Sequence, residues 1–216
     1  TTEIQHPRFY IRDIYITPNA DIKSQAITYD TLVYKYHLNK ADTTGKVIYI
    51  LHEKDISLKP SFLSRSLQFA PGDGYSQLLV NRTYKKLISQ PIIGAANINM
   101  VIRNPERIDP SEKQWLDCNI RLVRNRLNTF SLGTEGTNSG GSFGVGLNSS
   151  IQNRNFFKGA EVLSLKVRAS AELQGNLNNQ QTPADNNLLF FNAMELGAEV
   201  SIDFPRLIIP YKSNYL

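Results

Sequence analysis

Apolar and polar positions alternate with period two over most of this chain, and one stretch switches to a helical period. Phe9 to Thr17 is β-branched and aromatic and stops at Pro18-Asn19, which predicts a strand over Arg8–Thr17. Leu32, Tyr34, Tyr36 and Leu38 keep period two, Asn39 to Gly45 supply a turn, and Val47 to Leu51 is strand-like again. A hairpin over 31–51 is expected. Pro60-Ser61 then opens a short helix through about Gln68, with Phe62, Leu63 and Leu67 on one face. The Pro71-Gly72-Asp73-Gly74 break follows. Ser76 is placed to cap a second helix, in which Val80, Tyr84, Leu87 and Ile88 recur at i, i+4, i+7 and i+8. After Pro91, Ile98, Met100 and Ile102 alternate on a strand and a polar loop spans Asn104 to Gln114. Leu116, Cys118, Ile120 and Leu122 then alternate with Asp117, Asn119, Arg121 and Val123, which turns Cys118 inward.

Near Asn125 the texture changes to strand and turn, rich in Gly, Ser and Asn. Phe143, Val145, Leu147 and Ile151 share one parity. Leu163, Leu165, Val167, Ala169 and Ala171 oppose Ser164, Lys166, Arg168, Ser170 and Glu172. Leu196, Ala198, Val200, Ile202 and Phe204 oppose Glu195, Gly197, Glu199, Ser201 and Asp203. Thr129 to Thr137 reads as a weaker strand whose only bulky apolar residues are Phe130 and Leu132. Each strand thus has one apolar and one wet face, which suits either a soluble sandwich or a membrane barrel. Three features favour the barrel. The strands run to about ten residues or more, the length that crosses a bilayer at a tilt. A short turn at Asn138 to Gly141, a compact segment at Asn155 to Glu161 and a long polar loop at Gly175 to Asn187 match short periplasmic and long outer connections. Aromatics gather at segment ends, at Phe156-Phe157, at Phe190-Phe191 and at Phe204 with Tyr211.

Composition adds little to this. Hydrophobic residues make up 41% and charged residues 20%, so a folded chain is expected, and the formal charge of +5 is scattered rather than blocked. The single cysteine forms no intrachain disulfide. No run approaches the roughly 18 apolar residues of a membrane helix. The chain opens Thr1-Thr2-Glu3 without Met or a signal-like stretch, so any targeting segment is expected to have been removed or not included.

Leu127-Asn128-Thr129-Phe130-Ser131-Leu132-Gly133-Thr134-Glu135-Gly136-Thr137-Asn138-Ser139-Gly140-Gly141 resembles the opening barrel hairpin of the BamA/TamA outer-membrane assembly superfamily. Gln152-Asn153-Arg154-Asn155-Phe156-Phe157-Lys158-Gly159-Ala160-Glu161 is similar to that family's first periplasmic turn, which supplies Arg154, Asn155, Phe156, Gly159 and Glu161 as a turn motif. Pro71-Gly72-Asp73-Gly74-Tyr75-Ser76 resembles the Pro-Gly-Asp-x-Tyr-Ser turn of a POTRA domain, an α+β unit of order strand, helix, helix, strand, strand. The resemblance implies a POTRA domain over 1–125 and the first roughly four strands of an outer-membrane barrel over 126–216. The hairpin near 31–51 looks like the enlarged POTRA of Bacteroidota-type members and favours a TamA-like relative. The family's barrel has sixteen strands, and the Arg-containing loop motif and the closing strand have no counterpart here. The chain therefore reads as a fragment with an incomplete barrel, because an open sheet edge is not tolerated in hydrocarbon.

Other chemistry finds little support. His6, His37 and His52 lack metal-ligand spacing. Glu195, Glu199 and Asp203 share a strand face, but residues four apart there lie roughly 13 Å apart, too far for a glycosidase pair. Gly140 to Gly146 is no phosphate loop, and Asn81-Arg82-Thr83 and Asn148-Ser149-Ser150 match a glycosylation pattern that short sequences meet by chance. Arg121, Arg124 and Arg126 suit either lipid headgroups or a solvated strand end. Neither an enzyme nor a cofactor is expected.

The resemblance implies a factor that helps fold and insert β-barrel proteins by strand pairing. Thr129, Phe130, Ser131, Leu132, Gly133 and Thr134 would form the barrel seam, and Asn97, Ile98, Asn99, Met100 and Val101 the POTRA edge strand. The implied partners are unfolded outer-membrane protein substrates, outer-membrane lipid and periplasmic or lipoprotein accessory subunits, with no nucleic acid. The implied location is the bacterial outer membrane with the POTRA in the periplasm. Two alternatives stay open, a same-superfamily pore that secretes a dedicated partner and a soluble all-β binding or surface protein.

Overall fold

A computed structural model of the chain describes residues 8–20, 29–37, 45–53, 58–105, 113–139, 142–174 and 193–205. Contacts divide the chain into two units, Thr1–Arg126 with Asn155–Ala160 and Pro205–Leu216, and Leu127–Arg154 with Glu161–Phe204.

In the first unit the elements run β1 (Phe9–Thr17), β2 (Asp30–Tyr36), β3 (Lys46–His52), α1 (Pro60–Ser66), α2 (Gln77–Ile88), β4 (Ile93–Ile102) and β5 (Gln114–Arg124). The five strands form one mixed sheet in the order β2-β3-β1-β5-β4. β1 lies parallel to both β3 and β5, while β2–β3 and β4–β5 are antiparallel. Alternation decides which face is covered. Ile11, Ile14 and Ile16 of β1, Ile48 and Ile50 of β3, and Cys118, Ile120 and Leu122 of β5 join Leu63 of α1 and Val80 and Leu87 of α2 in a single buried cluster. The two helices thus close one face of the sheet. The opposite face carries a row that crosses all five strands, Val33 beside Tyr49, Tyr15, Asn119 and Asn99. Tyr15 and Tyr49 stack there with centroids 5.0 Å apart. Nearby, Arg103 Nη1 lies 3.3 Å from Asp13 Oδ2 and 3.8 Å from Asp117 Oδ2. Burial, reinforced by these two carboxylates, raises the Tyr15 hydroxyl above its ordinary value.

Three details differ from the periodic reading. The first helix ends at Ser66, because Leu67 is already extended. Ser76 stands at the N-cap of α2 in an extended conformation, but its side chain makes no capping hydrogen bond. The buried stripe of α2 is Val80, Thr83 and Leu87, whereas Tyr84 and Ile88 are exposed. At about 100° per residue, Thr83, Leu87 and Val80 fall within roughly 60° of one another, while Tyr84 and Ile88 swing to the rim. Thr83 is admitted because its Oγ1 accepts the Gln68 backbone N–H at 3.0 Å, which pairs both groups away from water. The expected loop from Asn104 to Gln114 lies largely outside the described residues.

In the second unit β6 (Asn128–Ser139), β7 (Ser142–Asn153), β8 (Val162–Gln174) and β9 (Ala193–Asp203) form one antiparallel sheet in chain order, β6-β7-β8-β9. Its registers are unbroken, from Asn128↔Asn153 to Ser139↔Ser142 and from Val162↔Asp203 to Glu172↔Ala193. Among the described residues it does not close into a barrel. The expected long loop from Gly175 to Asn187, Phe190-Phe191 and Tyr211 lie outside them, as do Gly140 and Gly141 of the turn at Asn138 to Gly141.

Leu87→Ala is expected to cost about 2–5 kcal/mol in urea unfolding, whereas Tyr84→Ala on the same helix costs well under half of that. Cys118 is fully buried, and desolvation pushes its thiol up to about 12 from an ordinary 9. At pH 9 the folded thiolate fraction falls roughly five-hundredfold below that of the unfolded chain. Iodoacetamide should therefore leave Cys118 unmodified in the folded protein and alkylate it promptly in urea.

Candidate functional site

The four-stranded sheet sorts most of its apolar side chains to one face. Register places Phe130, Ile151, Leu165 and Val200 in one transverse row, Leu132, Ser149, Val167 and Ala198 in the next, and Thr134, Leu147, Ala169 and Leu196 in a third. Their neighbours in sequence occupy the other face, in rows such as Ser131, Ser150, Lys166 and Glu199. That face pairs its own polar groups. Lys166 Nζ lies 3.3 Å from Glu199 Oε1, Arg168 Nε donates to Asn148 Oδ1 at 2.9 Å, and the Ser131 and Ser150 hydroxyls lie 2.6 Å apart. Leu163, Leu165, Val167, Leu196, Val200 and Ile202 lie together on the apolar side, opposite Lys166, Arg168, Glu195 and Glu199.

The apolar face is uncovered. Leu196 is 80% exposed, Val200 68% and Phe130 64%, and Leu132, Val145, Leu147, Ile151, Leu165 and Val167 are exposed as well. In water each such side chain forgoes part of the roughly 1.5–3 kcal/mol that full burial supplies, and soluble proteins rarely show so large a continuous apolar patch. Strand length fits another solvent. Strands of 12 residues span roughly 40 Å, and at a tilt of about 45° they cover roughly 28 Å, close to the ~30 Å hydrocarbon layer. No helix among the described residues is long and apolar enough to cross a membrane.

Two edges coincide with residues singled out in the sequence. Thr129 to Thr134 lie in β6, an edge strand of the second sheet, paired on one side with Leu147 to Gln152 of β7. Asn97 to Val101 lie in β4, an edge strand of the first sheet, with Ile98 and Met100 against the core and Asn97 and Asn99 exposed on the other face. Arg121 is exposed, and Arg124 donates through Nε to Asn19 Oδ1 at 3.1 Å. No group of three or more His, Cys, Asp or Glu among the described residues is placed to hold a metal ion.

The Arg154 to Glu161 segment is more constrained than its composition announces. Lys158 and Ala160 take left-handed backbone conformations, φ 62° and 64°. Asn155 organises the turn, its Oδ1 accepting the Ala160 N–H at 3.1 Å and its carbonyl the Lys158 N–H at 3.1 Å. Within the first unit the Lys158 carbonyl accepts the Lys59 N–H at 2.7 Å, and Ala160 joins the buried cluster. Phe156 and Phe157 pack edge to face, 4.8 Å between centroids. The motif's Asn was visible in the sequence, but two non-glycine residues with positive φ left no signal there.

No family model and no curated protein matches the chain. A number of solved structures show a distant similarity, two of them as follows. One is described as the crystal structure of BamA from Haemophilus ducreyi lacking POTRA domains 1-3. It has 14% sequence identity and a TM-score of 0.31, covering 67% of this chain and 33% of that one. The other is CdiB from Acinetobacter baumannii, with 12% identity and a TM-score of 0.43, covering 79% of this chain and 41% of that one. The chain thus spans about a third to two fifths of the length of these structures. Neither likeness assigns a residue or an activity.

Asn155→Ala is expected to destabilise the protein by about 1–2 kcal/mol, because a buried N–H loses its acceptor. Lys158→Gly should stabilise it by roughly 0.5–1 kcal/mol by relieving the left-handed conformation. Chemical denaturation of both variants measures the pair, and opposite signs are the result expected.

Proposed function

We propose that this chain is part of an outer-membrane β-barrel protein of the BamA/TamA type, which assembles other β-barrel proteins by pairing with their strands. The observation that carries the reading is the apolar face of the β6–β9 sheet, uncovered among the described residues and backed by a polar face that carries Lys166, Arg168, Glu195 and Glu199. Lipid on one side and water on the other satisfy both faces at once. A soluble sandwich would need a second layer over the apolar side, and the described residues supply none. In this reading the first unit is a periplasmic POTRA domain. Its element order and the turn at Pro71 to Ser76 support that, and the β2–β3 hairpin supports the enlarged, TamA-like Bacteroidota form.

The mechanism follows from backbone chemistry. A strand entering hydrocarbon must keep its N–H and C=O groups paired, since each unpaired group costs several kcal/mol there. An edge strand offers a ready ladder. Thr129 to Thr134 in β6 would serve at the barrel seam, where glycine and short side chains make side-chain packing weak and opening less costly. Asn97 to Val101 in β4 would take an extended substrate before it reaches the membrane. In the complete barrel, strands beyond the four described would pair β6 and β9 when the seam is shut.

Arginine substitutions test the lipid assignment. In phospholipid bilayers Val167→Arg is expected to destabilise the sheet by about 2–4 kcal/mol, the cost of a charge near mid-depth on a lipid face. Gly133→Arg projects from the polar face, where a Cβ meets nothing within 4 Å, and should cost little. Urea titration of reconstituted protein measures both. Equal costs, or a chain that stays folded and monomeric without detergent or lipid, would remove the membrane reading.

A further inference from the structure

Positive charge that is scattered along the sequence is gathered by the fold onto the helix layer of the first unit. Arg65 of α1 and Arg82, Lys85 and Lys86 of α2 are all exposed, and Lys86 Nζ donates to the Arg65 carbonyl at 2.5 Å, which brings the cations of the two helices together. From Leu58 to Ile102 the only acidic residue is Asp73, and its Oδ2 accepts the Ala70 N–H at 2.8 Å. Arg65, Arg82 and Lys85 make no ion pair among the described residues, whereas on the sheet side Arg12 and Arg103 meet Asp13 and Asp117. Helix stability does not ask for this arrangement. Basic residues in a last turn complement the helix dipole, which accounts for Arg65, Lys85 and Lys86, but the same effect favours acids in a first turn and neither helix has one. Arg82 stands three residues before Lys85 and four before Lys86, a like-charge spacing that destabilises a helix.

We propose that the outer face of α2, with Arg65 beside it, docks on the phosphates of an anionic phospholipid surface. Charge complementarity calls for a partner that is anionic over an extended area, because the cations are spread over two helices and none is held in a fixed fork. Leu78 adds an apolar contact. It is 59% exposed and stands at i to Arg82 at i+4 and Lys85 at i+7, on the side of the helix away from Val80, Thr83 and Leu87, so a headgroup layer takes the leucine between headgroups and the cations on phosphate. The choice of lipid over an acidic protein rests on the function proposed above, in which the chain is held in a bilayer. Arg126 ends the first segment of this unit and β6 begins at Asn128, so a membrane surface is tethered to the domain at high effective concentration and individually weak contacts suffice.

The test uses the full chain in lipid nanodiscs made of phosphatidylcholine alone or with about one-third phosphatidylglycerol. A fluorophore is attached at Asn81→Cys on the outer face of α2 or, as the control, at Asn99→Cys on the exposed face of the sheet; Cys118 is buried and does not compete for the label. Phospholipid carrying a nitroxide on its headgroup quenches the fluorophore on contact. The expected result is quenching at position 81 several-fold above that at 99 in the anionic discs. It should fall to the level at 99 in phosphatidylcholine alone, in about 0.5 M salt, and on joint replacement Arg82→Gln and Lys85→Gln with an unchanged circular dichroism spectrum. Equal quenching at the two positions, or quenching at 81 that ignores lipid charge, salt and the double variant, would overturn the proposal. So would a response at 81 to soluble polyglutamate with none to anionic lipid, which assigns the face to an acidic protein instead. The Val167→Arg comparison reports on the lipid face of the second sheet independently, so quenching absent at 81 while that variant is still destabilised in bilayers removes the helix-face proposal alone.

Discussion

Backbone groups that must be paired, in a sheet whose apolar side chains have no cover among the described residues, set the terms for everything else in this molecule. A period-two strand can hide one face only if something lies on it. In the first unit two helices do so, and Ile14, Ile50, Ile120 and Leu122 sink to essentially no exposure. In the second unit the same alternation produces Leu196 and Val200 standing free. The two sheets are made by one rule of side-chain parity. What differs is the partner of the apolar face, and for the second sheet that partner is best supplied by a solvent rather than by more protein.

The same constraint explains why the edges carry the functional argument. Interior strands β7 and β8 have ladders on both sides and nothing left to offer. β6, β9, β4 and β2 are the end strands of their sheets among the described residues, yet they are not equivalent. β6 is poor in bulky side chains, so pairing there depends on backbone groups more than on packing. β4 alternates Ile98 and Met100 with Asn97 and Asn99, and β2 sets an apolar rim beside exposed Val33. Three of the edges thus differ in how much side-chain energy would accompany a ladder formed there.

Much of this was legible in the sequence because it depends on local parity. The alternation of Leu163 to Ala171 and of Leu196 to Ile202 reports which residues share a face, and the registers agree with it pair by pair. Phase and neighbourhood were harder to read. For α2 the period was visible, but the choice between Thr83 and Tyr84 turned on a hydrogen bond to Gln68, a partner fifteen residues away. Ser76 had the chemistry of a cap, yet its hydroxyl is not used as one. Lys158 and Ala160 lie in left-handed conformations that their side chains disfavour, held by Asn155 and by the Lys59 N–H. No propensity reports such a conformation, because its cost is met by contacts that are distant in sequence.

Strand order is the clearest case of information that alternation does not contain. The hairpin of β2 and β3 was expected from two periodic runs and a turn, but those runs leave open which strand faces the rest of the sheet. Parallel pairing of β3 with β1, Tyr15 beside Tyr49 and Ile16 beside Ile50, puts β3 inside and sends β2 to the edge. Burial decides it physically. β3 contributes Ile48 and Ile50, which are fully buried, whereas the corresponding side chains of β2, Leu32, Tyr34 and Tyr36, are only half-buried. The insertion therefore moves the sheet's free edge outward by two strands, from β1 to β2.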